Sequence, residues 1–464
     1  MNDFGKKRDA IIQKIETCLQ KTRKKNAKYT LCLADEVILT EYAPCNDRWT
    51  QALQRSLREH EIVVIPSSEK PYLIDGPIVI PSNRRIVAQE GAVIRLVKGT
   101  KTLMLRNENT ADGSYSAIKN VKRDKNITIE GGVWEEECDR RLGYGQSGRY
   151  DENRSFYGVS TCMFFDNIDH LTLKNLTFRR CGGFAVQMGE AKHIVMENIR
   201  FENCYADGLH INGNTENIII RNVSGQVRDD LVALNMYDWQ NSSVNFGPIK
   251  NVLGEDLTLS SDSPYKAIRI EPGIYTFDDG STVDCSLTNC IFRRVNGIKT
   301  FKMYCQTPAY NKGTLPEKAD VGSGDNIIFE DIKIDLDSPI DLLGGYVESD
   351  PITGSFAAFE LGLNINNLYL KNISLTLSQE KYPYSYLICI GPKSVRLGDR
   401  EIFDPYFSSC AANIFLENIA INGKKVADIA PFICEIKFDG LYSDMPSTAQ
   451  GVIENIFLLN ESRN

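Results

Sequence analysis

Short runs in which apolar and polar residues alternate recur along the chain, each closing on an asparagine. His-Leu-Thr-Leu-Lys-Asn ends at Asn175, His-Ile-Val-Met-Glu-Asn at Asn198 and Asn-Ile-Ile-Ile-Arg-Asn at Asn222. The alternation has a period of two, which makes a strand with one buried face; a helix would need a period near 3.6. The phrases follow one another at steps of 23 and 24 residues. A fixed period of that size marks stacked units that bury their apolar faces only against one another. Rungs this short, joined by turns and without helical segments, predict an all-β fold. It is a parallel β-helix, a solenoid whose stacking covers each strand on both sides.

The series starts at Asn126-Ile127-Thr128-Ile129-Glu130-Gly131 and continues from Asn222 through Asp256, Asn289, Asp331, Asn372 and Asn418, with steps of 34, 33, 42, 41 and 46 residues. The longer steps imply loops inserted into rungs of unchanged strand content. The segments 135–157, 306–325 and 337–362 are polar, Gly-rich or Pro-containing and too long for simple turns, and loops of that kind usually carry recognition. Ahead of the repeat, residues 1–30 predict a helix with Ile11, Ile12, Ile15 and Leu19 on one face. A second short helix, Arg48 to Glu59, precedes the strand Ile62–Ile65. The division expected is therefore a helical extension over residues 1–35 and a solenoid over 36–464. Helices cap the open end, and an oligomer contact through the N-terminal helix is the other use expected for it.

Composition narrows the function classes. The chain has 464 residues and a formal net charge of -8, with Lys and Arg spread along the sequence and not gathered in one run, so nucleic acid is not an expected partner. No apolar run approaches 18 residues, so no membrane span is expected. Thirteen cysteines in an odd count, without Cys-x-x-Cys or a Cys/His quartet, predict neither a disulfide framework nor a zinc site. Cys181 and Cys204 each fall six residues after a rung asparagine and should stack as buried thiols. Met-Asn-Asp-Phe-Gly-Lys-Lys-Arg contains no apolar stretch or cleavage site, so the expectation is a cytoplasmic protein, or a secreted one if a leader has been removed. Neither a cofactor motif nor a phosphate-binding glycine loop is present.

Register places the candidate chemistry. Stacking Leu209-His210-Ile211 on Val232-Ala233-Leu234 and on Ile268-Arg269-Ile270 sorts the polar residues into columns. One holds Asp207, Asp230 and Lys266; another holds Gln187, His210 and Arg269, with Lys299 as its extension; a third holds Asn212, Asn235 and Glu271. Neighbouring rungs lie about 4.8 Å apart, so Asp207, Asp229 and Asp230 form a compact carboxylate patch. Three carboxylates so close cannot all ionise cheaply, and one should stay protonated near neutrality. A protonated acid beside ionised partners is what hydrolysis of a glycosidic bond requires. Gln187, His210, Asn235, Lys266, Arg269 and Lys299 are the candidate substrate-binding residues, Arg269 offering a bidentate partner to a uronate carboxylate.

These residues resemble the polygalacturonase-like glycoside hydrolases, which are right-handed parallel β-helices and inverting enzymes, over roughly residues 36–310. Ala206-Asp207-Gly208-Leu209-His210 is similar to the family's Asn-Thr-Asp-Gly element. Asp229-Asp230-Leu231-Val232-Ala233-Leu234-Asn235 is similar to its Gly-Asp-Asp-Cys-x-Ala-x-Asn element. The resemblance implies Asp229 as general acid, with Asp207 and Asp230 holding and activating the water. The chain departs at Tyr205 for Asn, at Arg228 for Gly and at Tyr265-Lys266-Ala267 for Gly-His-Gly, while Gly297-Ile298-Lys299 only echoes Arg-Ile-Lys. An oligo- or polysaccharide is the expected partner. Two other classes fit the same scaffold. One is a polysaccharide lyase or epimerase, in which Asp residues hold Ca²⁺ and Arg269 or Lys266 takes the proton; the other is a non-catalytic carbohydrate-binding module.

Overall fold

The computed structural model describes residues 3–100, 102–110, 122–141, 161–238, 244–276, 279–304, 321–337, 356–391, 394–397, 400–403, 408–436 and 450–459. Most of its strands join a 24-stranded stack in which a strand pairs in parallel with the strand one coil before and the strand one coil after; two short antiparallel hairpins stand outside it. Ile218, for example, lies between Ile194 and Val252. The chain is a right-handed parallel β-helix. Most of the three long inserted segments lies outside the described residues.

The repeating phrase makes the coil because both its ends turn. Asn217 and Asn222 have φ of 62° and 53°, and the matching residues of most other coils are left-handed too. Asparagine enters that region more readily than other side-chain-bearing residues. Each end then forms its own amide ladder. Asn198 donates to Asn175 and Asn222 to Asn198, both at 2.8 Å. Five residues upstream, Asn251 donates to Asn217 at 2.9 Å and Asn289 to Asn251 at 3.1 Å. Asn126 and Asn289 therefore belong to the upstream ladder, not to the series of Asn175. The downstream column runs from Asp256 through Arg294 to Asp331, all left-handed. The sequence pattern merged the two columns because an asparagine stands at both ends of the phrase.

Between the ladders, Ile218 and Ile220 point into the core and Ile219 points out. The outward column Val195, Ile219, Leu253, Ile291, Ile328, Tyr369 and Phe415 stays apolar because α1 (Asp3–Leu31) lies on it, burying Ile15 and Leu19. At one end Phe4 meets Phe415 and Phe457 at 5.0 and 4.9 Å; at the other, Asn26 bonds Thr172 and Thr30 bonds Thr128. So α1 runs along the flank of the solenoid from an early coil to the last. The end cap is α2 (Thr50–Glu59), whose Ala52, Leu53 and Leu57 join the central core. With the apolar face of α1 spent on its own solenoid, any oligomer contact through this helix must use its polar side.

That polar side is basic. Lys6, Lys7, Lys14, Lys21, Lys24, Lys25 and Lys28 are exposed, whereas Asp9 and Glu16 are paired with Arg8 and Arg293. Cations that read as scattered along the sequence are gathered on one ridge by helical periodicity. No helix among the described residues is long and apolar enough to cross a membrane.

Candidate functional site

The register follows the alignment of apolar residues. Leu209 pairs with Val232, His210 with Ala233, and Asn212 with Asn235; Ala233 pairs with Arg269 and Asn235 with Glu271. Beyond Arg269 the column is taken by Lys302 and not by Lys299. Lys299 sits in the turn before that strand and reaches away to Asp337 at 2.9 Å. Lys266 turns to the Ser261 carbonyl at 3.0 Å. The structure thus gathers Asp207, Asp229, Asp230 and Arg269 and leaves the two lysines outside the group.

Asp207 and the pair Asp229-Asp230 occupy equivalent turns one coil apart. Gly208 has to be glycine: a Cβ there would meet the Phe201 ring at 2.6 Å and the Leu231 carbonyl at 2.8 Å. That close approach lets the Gly208 N–H donate to the Asp230 carbonyl, and the Asp230 N–H donate to Asp207 Oδ1, each at 3.0 Å. The three carboxylates can each offer an oxygen within 4.8 Å of the others. Asp229 is the most open, its side chain 24% exposed against 5% and 6% for Asp207 and Asp230.

Charge is distributed unevenly over the three. Burial, aided by the Asp207 charge, raises Asp229 above the usual carboxylate range despite an ion pair with Arg141 at 2.7 Å and the proximity of Arg269. Burial raises Asp230 well above that range as well, although Arg269 Nε lies 3.6 Å from its Oδ2 and opposes the shift. Its Oδ1 has no hydrogen-bond partner among the described residues, and the same holds for Arg269 Nη1 and Asn235 Oδ1. Buried polar atoms left so in a pocket of opposite charges are places for a water or a ligand hydroxyl.

His210 is 2% exposed and lies flat against Phe184, ring centroids 3.8 Å apart. Its Nδ1 is 2.7 Å from Asp207 Oδ2 and its Nε2 is 2.8 Å from Asp238 Oδ2, so neither nitrogen is open to a substrate. Gln187 is fully buried and donates to Asn212 Oδ1 at 3.0 Å. On the other side of the acids, Arg269 donates to the Tyr265 hydroxyl at 3.2 Å and lies over the Tyr304 ring at 5.2 Å, with Lys302 Nζ 5.2 Å from the Tyr265 ring. Arg141, Asp238, Tyr265, Lys302 and Tyr304 were absent from the sequence-derived set. Lys302 had a signal, since it stands between inward Phe301 and Met303. Asp238 had none, because the segment that carries it leaves the strand pattern. The departures at Tyr205 and Arg228 explain each other: the guanidinium lies over the ring at 4.8 Å.

A second grouping, Asp169, His170 and His193, also offers ligand atoms within 4.8 Å. Its imidazoles are stacked at 4.5 Å and 11°, so their in-plane lone pairs run side by side and do not converge on one ion.

No protein-family model matches the chain, and no curated protein matches it. Among solved structures, the hyperthermoactive exopolygalacturonase of Thermotoga maritima is 12% identical, covers 87% of this chain and 97% of its own, and gives a TM-score of 0.49. The surface adhesin PfbA of Streptococcus pneumoniae is 12% identical, with coverages of 83% and 91% and a TM-score of 0.43. The endo-xylogalacturonan hydrolase of Aspergillus tubingensis is 13% identical, with 88% and 95% and a TM-score of 0.45. Likenesses of this depth carry no argument about activity.

Proposed function

We propose that the chain is a glycoside hydrolase acting on an oligo- or polysaccharide, with Asp229 as proton donor and Asp207 with Asp230 holding the attacking water. The observation that supports this reading is the convergence of three carboxylates on neighbouring coils with two of them raised toward the protonated form. In the reaction, the Asp229 proton passes to the glycosidic oxygen as the bond to the anomeric carbon breaks. Water adds to that carbon and gives its proton to the carboxylate pair, so one bond is exchanged for another and no cofactor is consumed. Arg269 beside Asp230 favours the ionised form at the moment the base is needed, and it offers a positive partner to a uronate carboxylate.

Inversion at the anomeric centre comes from the family resemblance. The oxygen spacing within 4.8 Å is tighter than the roughly 6.5 to 9.5 Å between carboxyl groups of most inverting enzymes, so the anomer decides the point. The experiment is incubation with a panel of pectic and neutral oligosaccharides, with new reducing ends and their anomer read by NMR. Asp229→Asn and Asp230→Asn should each lower turnover by more than about 10³-fold while thermal unfolding stays two-state and near the parent midpoint. Full activity in Asp229→Asn would remove the hydrolase reading. An unsaturated, ultraviolet-absorbing product lost on chelation would replace it with the lyase.

A further inference from the structure

We propose that His210 is a positioning residue: an imidazolium clamped at both ring nitrogens, by Asp207 and by Asp238, that holds Asp207 ionised and so forces the shared proton of the cluster onto Asp229 and Asp230. The catalytic part of this statement rests on the hydrolase reading above; the clamp itself does not.

Geometry carries the argument. A neutral imidazole donates from one nitrogen and presents a lone pair at the other. At 2.7 Å from Asp207 Oδ2 and 2.8 Å from Asp238 Oδ2, either neutral tautomer would set a nitrogen lone pair against a carboxylate oxygen at hydrogen-bond distance. Two N–H groups satisfy both contacts. Asn212 Nδ2 lies 3.3 Å from the same Asp238 oxygen, from the Asn235 carbonyl and from His210 Nε2; its two hydrogens can serve the two oxygens, which leaves Nε2 to donate to Asp238. Asp207 is held as an acceptor, its other oxygen taking the Asp230 N–H. Phe184 closes the face of the ring.

The charged groups that face this unit are Asp207 from the turn before the strand Leu209–Asn212 and Asp238 from the segment after Val232–Asn235. Behind Asp207 stand Asp229, Asp230 and Arg269. Burial by itself would lower the imidazole; the two carboxylates outweigh it and raise His210 to about 10. Both Asp207 oxygens are engaged as acceptors, by His210 and by the Asp230 N–H, so a proton placed on either would break a bond. The labile proton then belongs to Asp229 and Asp230, and only Asp229 is open enough to deliver it.

The test uses the full chain labelled with ¹⁵N. With four histidines in the sequence, His210 is assigned by the signal missing from His210→Gln. Both of its ring nitrogens should keep the imidazolium signature from about pH 5 to about pH 9, across the range where an ordinary histidine discharges. Asp238→Asn should let the ring titrate at least one pH unit lower. On a substrate found by the panel it should also move the alkaline limb of kcat/KM down, because a less firmly charged Asp207 raises Asp229 less. A His210 with one protonated nitrogen at pH 7 in the parent chain overturns the clamp, whether or not glycans are cut and whether or not the variants fold. An imidazolium His210 in a chain that cuts no glycan leaves the clamp standing and overturns the hydrolase reading alone. An unmoved pH profile in folded, active Asp238→Asn removes the positioning role.

Discussion

Glu136 is a carboxylic acid enclosed by the solenoid: one oxygen accepts the Gly182 N–H at 2.8 Å, the other has no partner among the described residues. Burial raises it from the ordinary 4.5 to about 7, against the pull of the Gly182 and Gly183 N–H groups. The folded chain therefore holds this proton to higher pH than the unfolded chain does, and stability falls as pH rises between those two values. Glu136→Gln should be near neutral at pH 4.5 and stabilising by on the order of 3 kcal/mol at pH 8, read from urea unfolding at the two pH values. His210 has a raised pKa too, and its contribution has the same sign. It is full below about 6.5 and disappears as pH rises through about 10. At this scale the sequence shows the acids and Arg269, because apolar neighbours set their register. It hides Lys302 behind a three-residue offset. Gly297, left-handed at φ 77°, makes the turn before that strand, and a Cβ there would meet the Leu259 carbonyl at 2.2 Å.

One position before the downstream ladder, nine successive strands carry a charge, and the signs alternate up the stack. Glu130, Lys174, Glu197, Arg221, Glu255, Arg293, Glu330, Lys371 and Glu417 are neighbours in register. Opposite charges across a strand pair stabilise it and like charges oppose it, so slipping by one coil sets like against like and is disfavoured. Glu255 is the strongest link. Burial would raise it, but hydrogen bonds from Arg293, Arg294 and Arg221 outweigh burial and hold it at about 2. Its contribution is present above its ordinary 4.5 and is lost as pH falls toward 2. Glu255→Lys should cost roughly 3 kcal/mol, seen as a lowered urea midpoint at pH 7, and the deficit should shrink in acid. The strands were legible in the sequence because their alternation is local. The loops were not placed by it, since an insertion leaves the apolar pattern intact and says nothing of where the inserted residues return.

A solenoid held only by nearest-neighbour coils unravels from its ends, each coil answering only to the next. Here α1 touches the coils of Thr128 and of Phe457, tying an early coil to the last. Leu19→Asp, which puts a charge under the helix, should cost about 3 kcal/mol or more and broaden the thermal transition into steps as the coils uncouple. Differential scanning calorimetry would show this as a van't Hoff enthalpy well below the calorimetric one. The sequence showed the amphipathic helix, but the alternation read from the phrases left the outward apolar column, which begins at Val195, unmarked as its partner. The same tie imposes an order on biosynthesis. Phe4 leaves the ribosome roughly 450 residues ahead of Phe457, a delay of about 20 to 90 seconds at ordinary elongation rates. Throughout that interval the front of the helix has no seat, so the nascent chain carries an unsheltered apolar stripe, and a chaperone that grips such stripes would find it there.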